Sequence, residues 1–193
     1  MARTTDQDEL RLIGANPYML VHDDPSKPPS THVSVWRIEV SPAGAGHTLF
    51  WYSELTKGES HVYADNISLA RWLQEEIVRE NMPYKDQSLP VVEAKFSWTG
   101  AVPLPVMCQV QSQHDLMQFT WHDFLPAFHG TQTPEEGETH GHYACYVPAQ
   151  GVRVTLNGQQ AKGGPIRRER DGYAHTSCFL ALNESWTRVR AAK

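Results

Sequence analysis

Val92-Glu93-Ala94-Lys95-Phe96-Ser97-Trp98-Thr99 alternates apolar and polar side chains without a break. Successive side chains of an extended chain leave on opposite faces, so the even positions make one buried face and the odd positions a wet one. Comparable runs occur at His32–Val40, His47–Ser53, His61–Tyr63, Leu104–Gln113, Asp115–Phe124, Thr139–Val147, Gly151–Leu156 and Tyr173–Leu182. Strands in such close series predict an all-β fold, a single antiparallel barrel or sandwich of about 8–10 strands. Thirteen glycines and thirteen prolines supply the turns between them.

Pro42-Ala43-Gly44-Ala45-Gly46 joins the first two of these runs as a hairpin loop, and Asn157-Gly158 reads as a two-residue type I′ turn. One helix is expected over 66–81, capped by Asp65 or Asn66, with Leu69, Leu73 and Ile77 as its apolar stripe. Glu75 and Arg79 form an i,i+4 pair on its wet side, and Pro83 ends it. This helix is expected to cover a barrel end or a sheet face.

Residues 1–31, with Asp23-Asp24-Pro25-Ser26-Lys27-Pro28-Pro29-Ser30, read as an extended proline-containing N-terminal arm, and 32–193 as a single β-barrel domain. The arm is the expected contact for a second copy or a partner subunit. Phe128–Gly137 reads as a long polar loop.

A net charge of −5 argues against general nucleic-acid binding, which needs a basic surface to displace counterions. Arg167-Arg168-Glu169-Arg170 is the one basic cluster, read as a solvated loop, with a phosphate or carboxylate clamp as its other reading. No run approaches the ~20 apolar residues of a membrane span, and the N-terminus lacks the apolar core of a signal peptide. The three cysteines, Cys108, Cys145 and Cys178, lack CxxC spacing and sit in apolar strand patterns, which implies reduced thiols and a cytoplasmic location.

The strongest chemical pattern is Glu138-Thr139-His140-Gly141-His142. Alternate strand residues share a face, so Glu138, His140 and His142 are expected to project together, as donors for one metal ion. This HxH pair resembles part of the cupin pattern. Gly164, Gly172 and His175 stand at the spacing of the second cupin motif, although Arg170 occupies the place of its proline and no glutamate follows His142. The resemblance spans about 138–179 and implies a divalent metal (Zn, Fe or Mn) on His140, His142 and His175. Without a metal, His122 and His142 are the candidate acid–base residues. Adjacent strand side chains diverge, so the carboxylate for His122 is expected from another strand rather than from Asp123.

Aromatic residues are the third feature. Trp51, Phe119, Trp121 and Tyr146 either fill the core or line a pocket for a planar or apolar ligand, with Arg37 as a polar anchor. The leading expectation is therefore a small-molecule enzyme acting on an apolar or aromatic substrate through a histidine-lined site. A non-catalytic, lipocalin-like binding barrel and an interaction subunit are the alternatives.

Overall fold

The structure, a computed structural model, describes residues 9–78, 82–133 and 140–188. The chain begins with β1 (Glu9–Ala15), β2 (Tyr18–Val21), β3 (Thr31–Val40), β4 (Gly46–Ser53) and β5 (Ser60–Ala64). Helix α1 (Ile67–Glu76) follows, then β6 (Val91–Glu93), β7 (Lys95–Thr99), β8 (Val106–Gln111), β9 (Leu116–Phe124) and β10 (Phe128–Gln132). A 17-residue strand, β11 (His140–Leu156), leads into β12 (Gln159–Gln160), β13 (Arg167–Arg170), β14 (Tyr173–Thr176) and β15 (Cys178–Arg188). The all-β expectation with one covering helix holds. Among the described residues, no helix is long and apolar enough to cross a membrane.

Thirteen strands make one sheet, whose main path runs β6-β5-β4-β3-β1-β15-β11-β9-β8-β7. The two ends of this path, β6 and β7, are separated in the chain by Ala94 alone. One continuous segment thus bonds to β5 through its first half and to β8 through its second. The alternation of Val92–Thr99 is kept there: Ala94 is buried, Phe96 and Trp98 half-buried, and Glu93, Lys95, Ser97 and Thr99 exposed.

Five expectations are corrected. The sheet is mixed rather than wholly antiparallel, because β5 and β6 run parallel. A parallel pair needs a long crossover, and α1 lies within it. Residues 9–21 are not an arm: β1 and β2 pair with both β3 and β15, and the polar turn after Val21 is tied back too, His22 bridging Gly164 and the Ser30 carbonyl accepting from the Glu54 amide. Phe128–Gln132 is a strand along β11 rather than loop. The basic run 167–170 is one arm of the hairpin β13–β14. The helix is shorter than the expected 66–81, and Arg79 of its expected ion pair lies outside the described residues. Asn66 is its cap, its Oδ1 accepting from the Leu69 amide at 3.1 Å.

Period-two alternation gives the sheet two apolar faces. Val33, Val35, Leu49, Trp51, Phe119 and Trp121 meet in the main core. Their strand neighbours Trp36, Ile38 and Phe50 turn the other way and pack under Leu69 and Leu73 of α1. We call the second side the helix face. Asn157 and Gly158 both have positive φ (50° and 83°), as a type I′ turn requires.

Candidate functional site

A cavity of about 530 Å³ opens on the helix face. Its floor is the outward residues of β3, β11 and β15; the chain just past α1 walls one side and the hairpin β13–β14 the other. On β3, alternation sends His32, Ser34 and Trp36 into this cavity while Val33 and Val35 enter the main core.

β15 reaches the cavity by breaking its own alternation. Cys178 and Leu180 face the main core, and Phe179 and Ala181 face the cavity, so strict parity would put Asn183 in the cavity and Glu184 on the core side. Asn183 instead adopts φ 50°, and the ladder shifts there: Tyr143 opposes Ser185, but Cys145 opposes Leu182. One extra residue on β15 makes a bulge. Its effect is to turn both Glu184 and Trp186 into the cavity.

Glu184 is 3% exposed. Its Oε1 accepts the indole Nε1–H of Trp186 at 2.7 Å, and its Oε2 is buried with no hydrogen-bond partner among the described residues. Desolvation pushes its pKa up to about 8, against the opposing pull of the Trp186 hydrogen bond and the Arg170 charge. At neutral pH the group is a carboxylic acid, able to donate a proton.

His142 stacks on Trp186, ring centroids 4.7 Å apart, and its Nε2 lies 3.0 Å from the Tyr146 hydroxyl. Both come from β11, four residues apart, hence on one face. The Arg170 guanidinium sits over the Tyr146 ring at 4.3 Å. Burial pushes the Tyr146 phenol up to about 12, so it stays protonated. Two more imidazoles line the cavity. Burial pushes His32 down to about 3; burial and the charges of Arg170 and Arg168 push His175 down to about 4. Both are neutral at physiological pH, and His32 Nε2 and His175 Nδ1 are buried without hydrogen-bond partners among the described residues.

The expected metal set does not assemble. His142 and His175 reach the cavity, but His140 turns to Glu76 of α1, Nε2 to Oε2 3.7 Å, where Arg11 and Arg188 also meet that carboxylate. Glu138 lies outside the described residues. Among the described residues no group of three or more His, Cys, Asp or Glu side chains could hold a metal ion.

The other sequence candidates divide. Tyr146 and His142 are in the cavity. Trp51, Phe119 and Trp121 are wholly buried in the main core, Trp51 edge-on to Phe119, because their strand positions face inward. Arg37 is exposed and borders a shallow open surface beside Glu39. His122 lies apart from the cavity, and its partner is Asp123 after all, Nδ1 to Oδ2 2.7 Å. Asp123 has φ 55°, which swings its side chain back beside its neighbour, so the divergence expected of a regular strand fails there.

Glu184, Trp186, Arg170 and His32 are cavity residues that the sequence does not place in a site. Arg170 had a signal in the clamp reading of the basic run. For Glu184 the only signal was Asn183, a residue that tolerates the left-handed region. The thiols are all free, and Cys178 is buried with its pKa pushed up to about 12. Compared with protein-family models, with curated proteins and with solved structures, the chain matches none of them.

Proposed function

We propose that this protein is a small-molecule enzyme that binds an aromatic substrate in the helix-face cavity and moves protons to and from it. The observation that carries this reading is the gathering of Glu184 Oε2, His32 Nε2, His175 Nδ1 and the Tyr84 hydroxyl, four buried polar atoms without hydrogen-bond partners among the described residues, on one cavity walled by aromatic rings. Leaving a buried polar group unsatisfied costs roughly 1–3 kcal/mol, and native folds keep few of them. Such groups are stable liabilities where a ligand completes them, and a volume of this size suits a small organic molecule.

The chemistry on offer is acid–base. Glu184 is a neutral acid beside a neutral Tyr146, and His142 is within proton-transfer distance of the phenol. A pair of environments that holds one carboxyl protonated beside a histidine separates acid from base at neutral pH. The substrate ring would lie against Trp186 and Phe179.

The reading is tested by incubating the protein with a small-molecule extract and following depletion of individual compounds by mass spectrometry. Wild-type protein should consume one or a few aromatic compounds, and Tyr146→Phe and His142→Gln should slow that by roughly 100-fold or more, the usual weight of a general acid or base. Equal depletion by wild type and both variants overturns it.

A further inference from the structure

We infer that the molecule held in the helix-face cavity is a planar aromatic acid, its carboxylate paired with the Arg170 guanidinium and its ring lying among the flat walls of the cavity. This rests on the cavity being the ligand site and names the class of ligand it takes.

The case begins with charge. Three ionisable groups beside the cavity, Glu184, His32 and His175, are held neutral by burial. Among the described residues Arg170 therefore faces Tyr146, His175 and Glu184 with no ionised partner on the cavity side. Its ion pair runs outward, Nε to Asp171 Oδ2 at 3.9 Å, the outer limit of such a contact, and Asp171 is itself exposed. Among the described residues no ion pair joins Arg170 to Glu184, whose Oε2 is left without a hydrogen-bond partner. On the rim, Arg168 and Glu169 carry opposite charges and offset each other. Among the described residues the cavity thus presents the Arg170 guanidinium, 27% exposed on its side chain and lying over the Tyr146 ring.

A guanidinium presents a planar fork of N–H donors that matches a carboxylate bidentately. Here the fork is carried on a two-stranded hairpin, so its position is set by backbone pairing rather than by a loose loop. Beyond it, the unpartnered Oε2 of Glu184 and the neutral imidazoles of His32 and His175 are suited to uncharged polar substituents on the ring. The walls are flat: Trp186 stacked on His142, and Phe179 stacked on Tyr18 at 5.2 Å. Two stacked pairs favour a planar body over a flexible chain.

The experiment is isothermal titration of the full chain with 2-naphthoate, its neutral counterpart 2-naphthamide, and octanoate as a non-planar acid. Wild type should bind naphthoate at least about tenfold more tightly than naphthamide, as a charge-assisted hydrogen bond implies. Arg170→Gln should bring the two within about twofold by weakening naphthoate alone, and Arg170→Lys should restore part of the difference. Circular dichroism of both variants checks that they fold. Equal binding of naphthoate and naphthamide by wild type overturns the acid inference and leaves the cavity reading standing. Octanoate binding as tightly as naphthoate overturns the planar part. Binding of none of the three overturns the cavity reading beneath both.

Discussion

The Trp186 indole donates to Glu184 Oε1 at 2.7 Å, and the other carboxylate oxygen of Glu184 has no partner at all among the described residues. A carboxyl half-satisfied in this way keeps its proton. Its raised pKa, about 8 against an ordinary 4.5, makes the folded state hold a proton that the unfolded chain releases above pH 4.5. Stability from this group is complete below about pH 4.5 and is lost as pH rises to about 8, on the order of 5 kcal/mol in all. His32 and His175 act oppositely. Their lowered pKa values mean that stability is present above 6.5 and lost as pH falls toward 4 and 3. The three groups together place a stability maximum near pH 6.5. Urea unfolding at pH 5, 6.5 and 8.5 measures it, and Glu184→Gln should be more stable than wild type at pH 8.5 and should lose the alkaline decline.

Gly130 on β10 offers a way to disturb the His142–Tyr146 hydrogen bond from outside the cavity. A Cβ added there would stand 2.5 Å from Tyr146 Cε2 and 3.0 Å from Cδ2, on a ring already packed against Arg170 and Phe179. Gly130→Ala should cost about 1–3 kcal/mol as overpacking. It should also displace the Tyr146 ring and lengthen its contact with His142. The His142 ring resonances in a nuclear magnetic resonance spectrum should shift, whereas an unshifted His142 would show that Tyr146 had not moved.

The bulge at Asn183 makes a separate prediction. At φ 50° asparagine and glycine are tolerated, and a β-branched residue is strained by roughly 1–2 kcal/mol. Asn183→Gly should leave stability within a few tenths of a kcal/mol, while Asn183→Val should both destabilise and pull Glu184 out of the cavity as the strand regularises. The alkaline decline in stability should therefore shrink in Asn183→Val and persist in Asn183→Gly.

That bulge also marks where the sequence stops being legible. Alternation over Val92–Thr99, the hairpin around Gly44, the Asn157-Gly158 turn and the apolar stripe of α1 all follow from local rules and appear as read. His142 and Tyr146 share a face because four residues on a strand is an even step. Parity predicts nothing past a bulge, so a strand read as ending at Leu182 gave no hint that Glu184 and Trp186 return to the same cavity. The parallel pairing of β5 with β6, and the entry of β1 and β2 into the sheet, depend on partners distant in sequence. His140 left its expected partner for Glu76 because α1 brings that carboxylate over the strand, a tertiary contact that spacing does not encode.

The tryptophans separate core from site in one comparison. Trp121 is fully buried in the main core, stacks on Trp98 at 6.4 Å, and donates from Nε1 to the Tyr18 carbonyl at 3.2 Å. Trp121→Phe removes that hydrogen bond and leaves a void among residues that cannot close over it, so it should cost about 1–3 kcal/mol. Trp186 lies at the cavity, stacked on His142 and tilted against Trp36. Trp186→Phe keeps an aromatic wall but removes the donor to Glu184, which should raise the pKa of that carboxyl further and weaken 2-naphthoate binding several-fold with a smaller loss of stability. Urea unfolding and naphthoate titration on both variants should show opposite rankings: the larger stability loss for Trp121→Phe, the larger affinity loss for Trp186→Phe. The same ranking in both measurements would mean that core and cavity are not separate units.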